Sequence, residues 1–307
     1  MSNRLEKRVA VVTGAGRGLG REHALFLASH GARVVVNDLG GAVDGGGGAD
    51  RAPGQLVVEE IRAAGGQAVF SGHDVSSWEE AGEMIRLAIE SFGDLHVLVN
   101  NAGILRDRTL ANMTEAEWDA VVRVHLKGHA APSHHAVKYW RQKAKSGQEV
   151  RASVVHTSSV AGLVGNFGQA NYSAAKLGIV ALSQVVATEV GHYGVRSNAI
   201  SPSARTRLAL TIPGSEEFLQ PPENEQELDI YHPANVSPLV GWLAQEDCPV
   251  TRQIFHVIGN RILVVSMPQV VTTLQCAGRW TLEQLDEQIP AGVATQPTFE
   301  DFLVRLS

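Results

Sequence analysis

The sequence predicts an α/β fold: a doubly wound, mostly parallel sheet in a single domain with a C-terminal appendage. Three observations predict it. Strand and helix patterns alternate along most of the chain, as they do when helices cover both faces of a sheet. The strand patterns are continuously apolar rather than alternating, so both strand faces are buried. A Gly-rich turn, TGAGRGLG (13–20), joins the first strand pattern to the first helix pattern. Such a turn lets the backbone approach a diphosphate at a positive helix terminus.

The elements follow in order. RVAVVT gives a strand near 8–13, and the run after the glycines gives a helix near 18–30. ARVVVND gives a strand near 32–37 that ends at Asp38, 18 residues after Gly20. An acidic residue there accepts hydrogen bonds from ribose hydroxyls and repels a 2′-phosphate. Gly40–Gly54 reads as a flexible insertion, followed by a helix near 55–64 and a strand near 67–72. Ser77 precedes Glu80 by three, and Thr114 precedes Glu117 by three. These are helix-start signals for helices near 77–92 and 115–145, the second continuous or broken. Strands near 95–99, 151–157, 195–200 and 253–258 and helices near 170–191, 206–220 and 235–245 complete the unit. Residues 1–260 are expected to form the dinucleotide-binding catalytic domain. Thr206–Ile230, with Pro213, Pro221 and Pro222, is its expected lid. Residues 261–307 are expected to be a helical appendage, with box-like pairs at Thr281/Gln284 and Thr298/Asp301.

Composition excludes several classes. The chain has 307 residues, 44% of them hydrophobic, and a formal charge of −6. That charge gives no electrostatic case for nucleic acid or an anionic membrane. Cys248 and Cys276 have no CxxC spacing, which suits a reducing compartment. With no N-terminal apolar signal segment, no apolar run approaching the ~18 residues of a membrane span and no SKL ending, a cytoplasmic protein is expected. His125, His129, His134 and His135 crowd one helical stretch, but no carboxylate or cysteine completes a ligand set, so no metal is expected.

The chemistry is concentrated in SVAGLVGNFGQANYSAAK (159–176). Tyr172 follows Ser159 by 13 positions, and Lys176 follows Tyr172 by four. Residues four apart share a helix face. A Lys ammonium beside a phenol favours the phenolate, so Lys176 is expected to draw Tyr172 toward neutrality as a proton shuttle. Ser159 adds a neutral hydroxyl to hold a carbonyl or alcohol oxygen. The set suits alcohol–ketone interconversion with a hydride carrier bound at the Gly-rich turn.

TGAGRGLG, NNAG (100–103), the Ser159/Tyr172/Lys176 spacing and NAISP (198–202) together resemble the short-chain dehydrogenase/reductase superfamily, over about residues 5–260. VVVNDLGG, NNAGILRDR, VHLKG and GNFGQANYSAAKLG are similar to the (3R)-hydroxyacyl-CoA dehydrogenase unit of peroxisomal multifunctional enzyme type 2 and its stand-alone bacterial relatives. Some of those relatives act on CoA thioesters of steroid side chains. The resemblance implies a Rossmann-type fold and NAD-dependent oxidation of a secondary alcohol. Tyr172 would be the general acid/base, Lys176 would hold the nicotinamide ribose, and Ser159 would orient the reacting oxygen. Gly14, Gly16, Arg17, Gly18, Leu19 and Gly20 would form the diphosphate loop, and Asp38 would bind the adenine ribose. Asp74 and Val75 would contact adenine, and Asn101, Ala102, Gly103 and Pro202 would line the cofactor channel. His125 stands where many members have a relay Asn, and a His can titrate near neutrality.

Arg17 is a feature of NADP-preferring members and competes with Asp38; the repulsion of a 2′-phosphate by Asp38 favours NAD. Arg205 and Arg207 follow the sixth strand, where forked guanidinium groups would suit the phosphates of a CoA thioester. Superfamily members usually form dimers or tetramers through two long helices. Two other functions fit less well: a generic ketone or hydroxysteroid reductase with no CoA requirement, and a dinucleotide-sensing regulator.

Overall fold

A computed structural model describes residues 4–46, 50–211, 214–224, 226–293 and 297–304. Residues 47–49 of the expected insertion, and residues 212, 213 and 225 of the expected lid, lie outside the described residues. The strands are β1 (Val9–Thr13), β2 (Arg33–Asn37), β3 (Gln67–Ser71), β4 (Val97–Asn100), β5 (Ala152–Thr157), β6 (Val195–Ser203), β7 (Ile254–Ile258) and β8 (Arg261–Val265). They form one sheet in the order β3-β2-β1-β4-β5-β6-β7-β8. All neighbours are parallel except β7 and β8. The order reverses between β1 and β4, and ligands of such sheets bind in the crevice beyond the strand ends at that point. Thr13, the last residue of β1, fixes the crevice: its Oγ1 accepts from Asn101 N at 2.9 Å and Ala102 N at 3.1 Å.

The helices are α1 (Gly18–Ser29), α2 (Ala52–Ala63), α3 (Trp78–Phe92), α4 (Glu115–Val122), α5 (Gly128–Lys145), α6 (Val160–Val164), α7 (Ala170–Val190), α8 (Ser215–Phe218), α9 (Ser237–Leu243), α10 (Leu282–Gly292) and α11 (Phe299–Val304). One apolar cluster joins α1, α2 and α9 to one face of the sheet. A second joins α3, α5 and α7 to the other. The buried strands follow from their composition, with Val9, Ala10, Val11 and Val12 fully enclosed. The capping signals form as the sequence predicts. Ser77 Oγ accepts from Glu80 N, Thr114 and Glu117 make a reciprocal box, and so do Thr281 and Gln284.

One feature settles a point the sequence left open, and three differ from the sequence reading. The helical stretch at 115–145 is broken by a wide turn, Arg123–Lys127, which turns His125 into the interior. Pro132, just beyond, has no N–H for the helical ladder. Among its described residues the stretch 206–220 holds no long helix, only a 3₁₀ turn, Ala209–Thr211, and the one-turn α8, which Gly214 precedes at a left-handed φ of 78°. The sheet does not stop at β7: Gly259 and Asn260 make a two-residue turn into antiparallel β8. Finally, Ala170–Tyr193 is long and apolar enough to cross a membrane, contrary to the expectation that no run approaches that length. It packs instead against β5, β6 and α4, as a core helix does.

Candidate active site

The strand ends and the segments after them line a cleft of about 1300 Å³. That exceeds the ~300–1,000 Å³ of an ordinary small-molecule pocket and suits two ligands side by side. Thr157 ends β5. Ser158 Oγ donates to Lys176 O at 2.8 Å, tying the strand end to the first turns of α7. Ser159 opens α6, its Oγ accepting from Ala161 N at 3.2 Å. The start of α7 is held by Asn171, fully buried, whose Nδ2 donates to Arg106 O at 3.0 Å and Glu117 O at 3.1 Å. The structure thus brings Ser159, Tyr172 and Lys176 to one wall of the cleft.

The electrostatics differ from the sequence reading. Lys176 Nζ sits 5.4 Å from the Tyr172 ring centre and donates to Thr157 O at 2.7 Å. Burial lowers the Lys176 ammonium to about 7. Although Tyr172 faces the cleft, the protein packed around it pushes the phenol up to about 12. Hydrogen bonding to Ser159 pulls the other way, and the Asp107 carboxylate raises it further. Lys176 therefore does not by itself move Tyr172 to neutrality; desolvation wins. His125 packs edge-on against the Tyr172 ring, 5.1 Å between centres. Its Nε2 lies 2.7 Å from Ile104 O, and burial and then Lys176 hold it well below the ordinary histidine range. It is a neutral group rather than one titrating near pH 7. A Cβ built on Gly103 would lie 2.4 Å from the His125 ring, so the bare backbone there makes room for it.

The dinucleotide end has a fitted cradle. Gly14 has a φ of +62°, and a Cβ on Gly20 would lie 2.2 Å from Gly14 O. Gly18 opens α1, and Gly18 and Leu19 both line the cleft. Asp38 closes this end: Oδ2 accepts from Gly16 N and Oδ1 from Gly40 N, both at 2.7 Å. Asn101 Nδ2 donates to Thr13 O at 3.1 Å, while Ala102, Gly103, Asp74, Val75 and Pro202 line the same channel. Asp74 also accepts from Ser76 N at 2.8 Å and Ser76 Oγ at 2.7 Å. Arg17 pairs with Asp50 at 3.3 Å.

The two lid arginines part company. Arg205 forms a two-pronged ion pair with Asp229 and donates to Leu219 O at 2.6 Å. It clasps the segment that follows β6 and has no free fork for a substrate phosphate, which corrects the expectation. Arg207 is exposed and lies under the influence of Arg17 and Asp38, at the dinucleotide end rather than over the reacting groups. Sequence reasoning missed Asn171, Ser158 and Asp107, whose roles depend on partners far along the chain. It also missed Phe299 of α11, which lines the cleft. Among the described residues no group of three or more His, Cys, Asp or Glu could hold a metal.

A family model described as short chain dehydrogenase matches residues 8–209. The chain belongs to the short-chain dehydrogenase family. As a member it is an oxidoreductase acting on CH–OH groups with a nicotinamide dinucleotide. It is 44% identical over 273 residues to hydroxyacyl-CoA dehydrogenase ChsB1 of Mycobacterium tuberculosis, covering 87% of this chain and 82% of that protein. It is 44% identical over 245 residues to peroxisomal multifunctional enzyme type 2 of Drosophila melanogaster, covering 80% of this chain but 38% of that longer protein. The crystal structure of a short chain dehydrogenase from Mycobacterium avium superposes with a TM-score of 0.83 at 45% identity, over 96% of this chain and 98% of that one.

Proposed function

We propose that this dehydrogenase oxidises a (3R)-hydroxyacyl-CoA thioester, a steroid side-chain thioester among the candidates, to the 3-oxo product with NAD. The observation that carries the substrate class is the 44% identity to a hydroxyacyl-CoA dehydrogenase across most of both chains. When bound, the dinucleotide supplies the hydride acceptor at the reacting carbon. The residues do the rest. Ser159 and Tyr172 hold the alcohol oxygen between their hydroxyl groups, and Tyr172 takes the alcohol proton. Lys176 holds the nicotinamide ribose and adds positive charge near the phenol. A phenol held at about 12 is scarcely ionised at neutral pH, so positive charge from protonated Lys176 would have to favour its ionised form in the loaded site.

The NAD preference rests on Asp38, whose carboxylate lines the glycine-loop end of the cleft and would repel a 2′-phosphate bound there. Asp38→Ala should narrow the preference for NAD over NADP, because Arg17 and Arg207 remain to attract the extra phosphate. An unchanged ratio of kcat/KM for the two cofactors would remove Asp38 from that role. Residues 206–230 acting as a lid, α4, α5 and α7 forming a homodimer or homotetramer interface, and a cytoplasmic setting belong to the same proposal. The exposed Leu177 and Val185 on α7 and the two free thiols support the last two.

The test is a panel: both enantiomers of a 3-hydroxyacyl-CoA, the free hydroxy acid and a steroid alcohol, each with NAD and NADP, followed by nicotinamide absorbance. Turnover of the 3R thioester alone is expected. Equal turnover of the steroid alcohol would favour the generic reductase.

A further inference from the structure

The cleft runs across the strand ends, and its two halves differ in character. Arg17, Asp38 and Asp74 line the half beside β2 and β3. Past Ser159 and Tyr172, toward β6 and β7, the lining includes Leu219, Ile230, Ile258 and Phe299. Arg205, which also lines that half, is neutralised by Asp229. Arg207 answers instead to Arg17 and Asp38, toward the dinucleotide end.

Each apolar group is held by contacts of its own. The Arg205 guanidinium pairs with Asp229, next to Ile230, and donates to Leu219 O at 2.6 Å, so one side chain fixes both neighbours. A Cβ on Gly259 would lie 3.1 Å from Ile230 Cβ, which seats Ile230 on the hairpin turn after Ile258. Thr298 and Asp301 make a reciprocal box that starts α11 at Phe299: Thr298 N donates to Asp301 Oδ2 at 2.8 Å and Asp301 N to Thr298 Oγ1 at 3.2 Å. Phe299 and Phe302, three apart, share a helix face. The Phe302 ring meets the His256 ring of β7 edge-on, with centres 5.1 Å apart. His256 Nδ1 in turn lies 3.3 Å from Ser201 Oγ on β6. The helix also packs on α6, which Ser159 opens. α11 therefore borders the reacting groups from the side away from the glycine turn. It lies outside residues 8–209, the part of the chain that the family model matches.

We propose that Phe299, with Leu219, Ile230 and Ile258, holds the apolar tail of the substrate, and that α11 thereby sets which acyl chains are preferred. The inference rests on the hydroxyacyl thioester reading. With its alcohol oxygen between Ser159 and Tyr172, such a substrate extends in two directions from the reacting carbon. One arm is the hydrophilic CoA, which is content in water. The other is the acyl chain or steroid side chain, which gains only where water is excluded. The half of the cleft beside β2 and β3 is taken by the dinucleotide, so the apolar half remains for the chain. Phe299 would touch the substrate. Phe302 would be a positioning residue, acting through the seat of α11 on His256.

The test is kcat/KM for full-length enzyme on a ladder of 3R-hydroxyacyl-CoA thioesters from butyryl to dodecanoyl. Wild type is expected to gain about fourfold for each methylene until the apolar end is full. Phe299→Ala should lose roughly tenfold or more on the dodecanoyl thioester, mostly through KM, and change little on the butyryl thioester. Phe302→Ala should show the same length-dependent loss, whereas Phe299→Leu, which keeps an apolar wall, should retain most of the wild-type preference. Equal losses along the whole ladder, or no change in length preference in either alanine variant, would overturn the proposal. A wild type inactive on every thioester would sink the substrate reading instead. The tail site is then judged by calorimetry, with 2-dodecanone and 2-butanone titrated into dinucleotide-loaded enzyme. Tighter binding of the longer ketone that Phe299→Ala abolishes supports the site, and equal affinities in wild type refute it.

Discussion

Lys176 Nζ lies beside the Tyr172 ring, 5.4 Å from its centre, and gives its hydrogen bond to Thr157 O. The amine thus spends its hydrogen bond on the strand end rather than on the phenol. Desolvation by the surrounding protein shifts the two groups in opposite directions: an amine lowered to about 7 and a phenol raised to about 12. Their separation keeps the proton on tyrosine until bound positive charge changes the balance.

Tyr172→Phe should lower kcat by roughly 10²–10⁴-fold, the usual contribution of a general acid/base. Dinucleotide affinity should hold, because the ring still packs on His125. Retention of more than about a tenth of wild-type kcat would show that another group moves the proton.

Lys176→Met should flatten the stability of the ligand-free enzyme against pH. The amine falls from 10.5 unfolded to about 7 folded. Between those values the unfolded chain binds more protons at this site, so its contribution to stability rises with pH across the window and is flat below it. Tyr172 opposes this only above its unfolded value near 10. Urea midpoints at pH 7 and about pH 9.5 should rise more in wild type than in the variant. Parallel changes in both proteins would mean that Lys176 stays charged when buried.

His125→Asn should leave the shape of the kcat–pH curve between about pH 5 and 9 unaltered, because the native ring does not ionise there. The height of the curve reports the lost contact with Tyr172. An acidic limb that vanishes in the variant would show that His125 titrates within the working range.

Arg205→Ala should loosen the lid rather than weaken one class of substrate. It removes the ion pair with Asp229 and the bond to Leu219 O. Faster proteolysis within residues 206–230 and similar rises in KM for thioester and CoA-free substrates are expected, of the order of tenfold for ~1.4 kcal/mol. A rise confined to the CoA thioester would restore Arg205 as a phosphate ligand.

Much of this molecule is legible in short windows. The Gly-rich turn, Asp38 and the four-residue step from Tyr172 to Lys176 are local, and local spacing fixes which helix face or strand end a residue occupies. The Gly259–Asn260 turn was equally local, a two-residue hairpin signal between apolar runs, and the sequence reading passed over it. What local spacing cannot carry is environment. Arg205 reads as a free cation until Asp229, 24 residues on, is folded against it. The pairing of His129 with His156 and the desolvation of Lys176 depend on helices and strands meeting across the fold, so no window contains them.

Phe299 belongs to the last helix of the chain, yet it lines the same cleft as Tyr172. A site begun by the glycines at 14–20 is thus walled in part by a segment far along the chain. A fragment cut before Phe299 would keep the glycine cradle and Tyr172 yet open this side of the cleft, so limited proteolysis in the stretch between β8 and α11 should alter ligand retention before it unfolds the sheet.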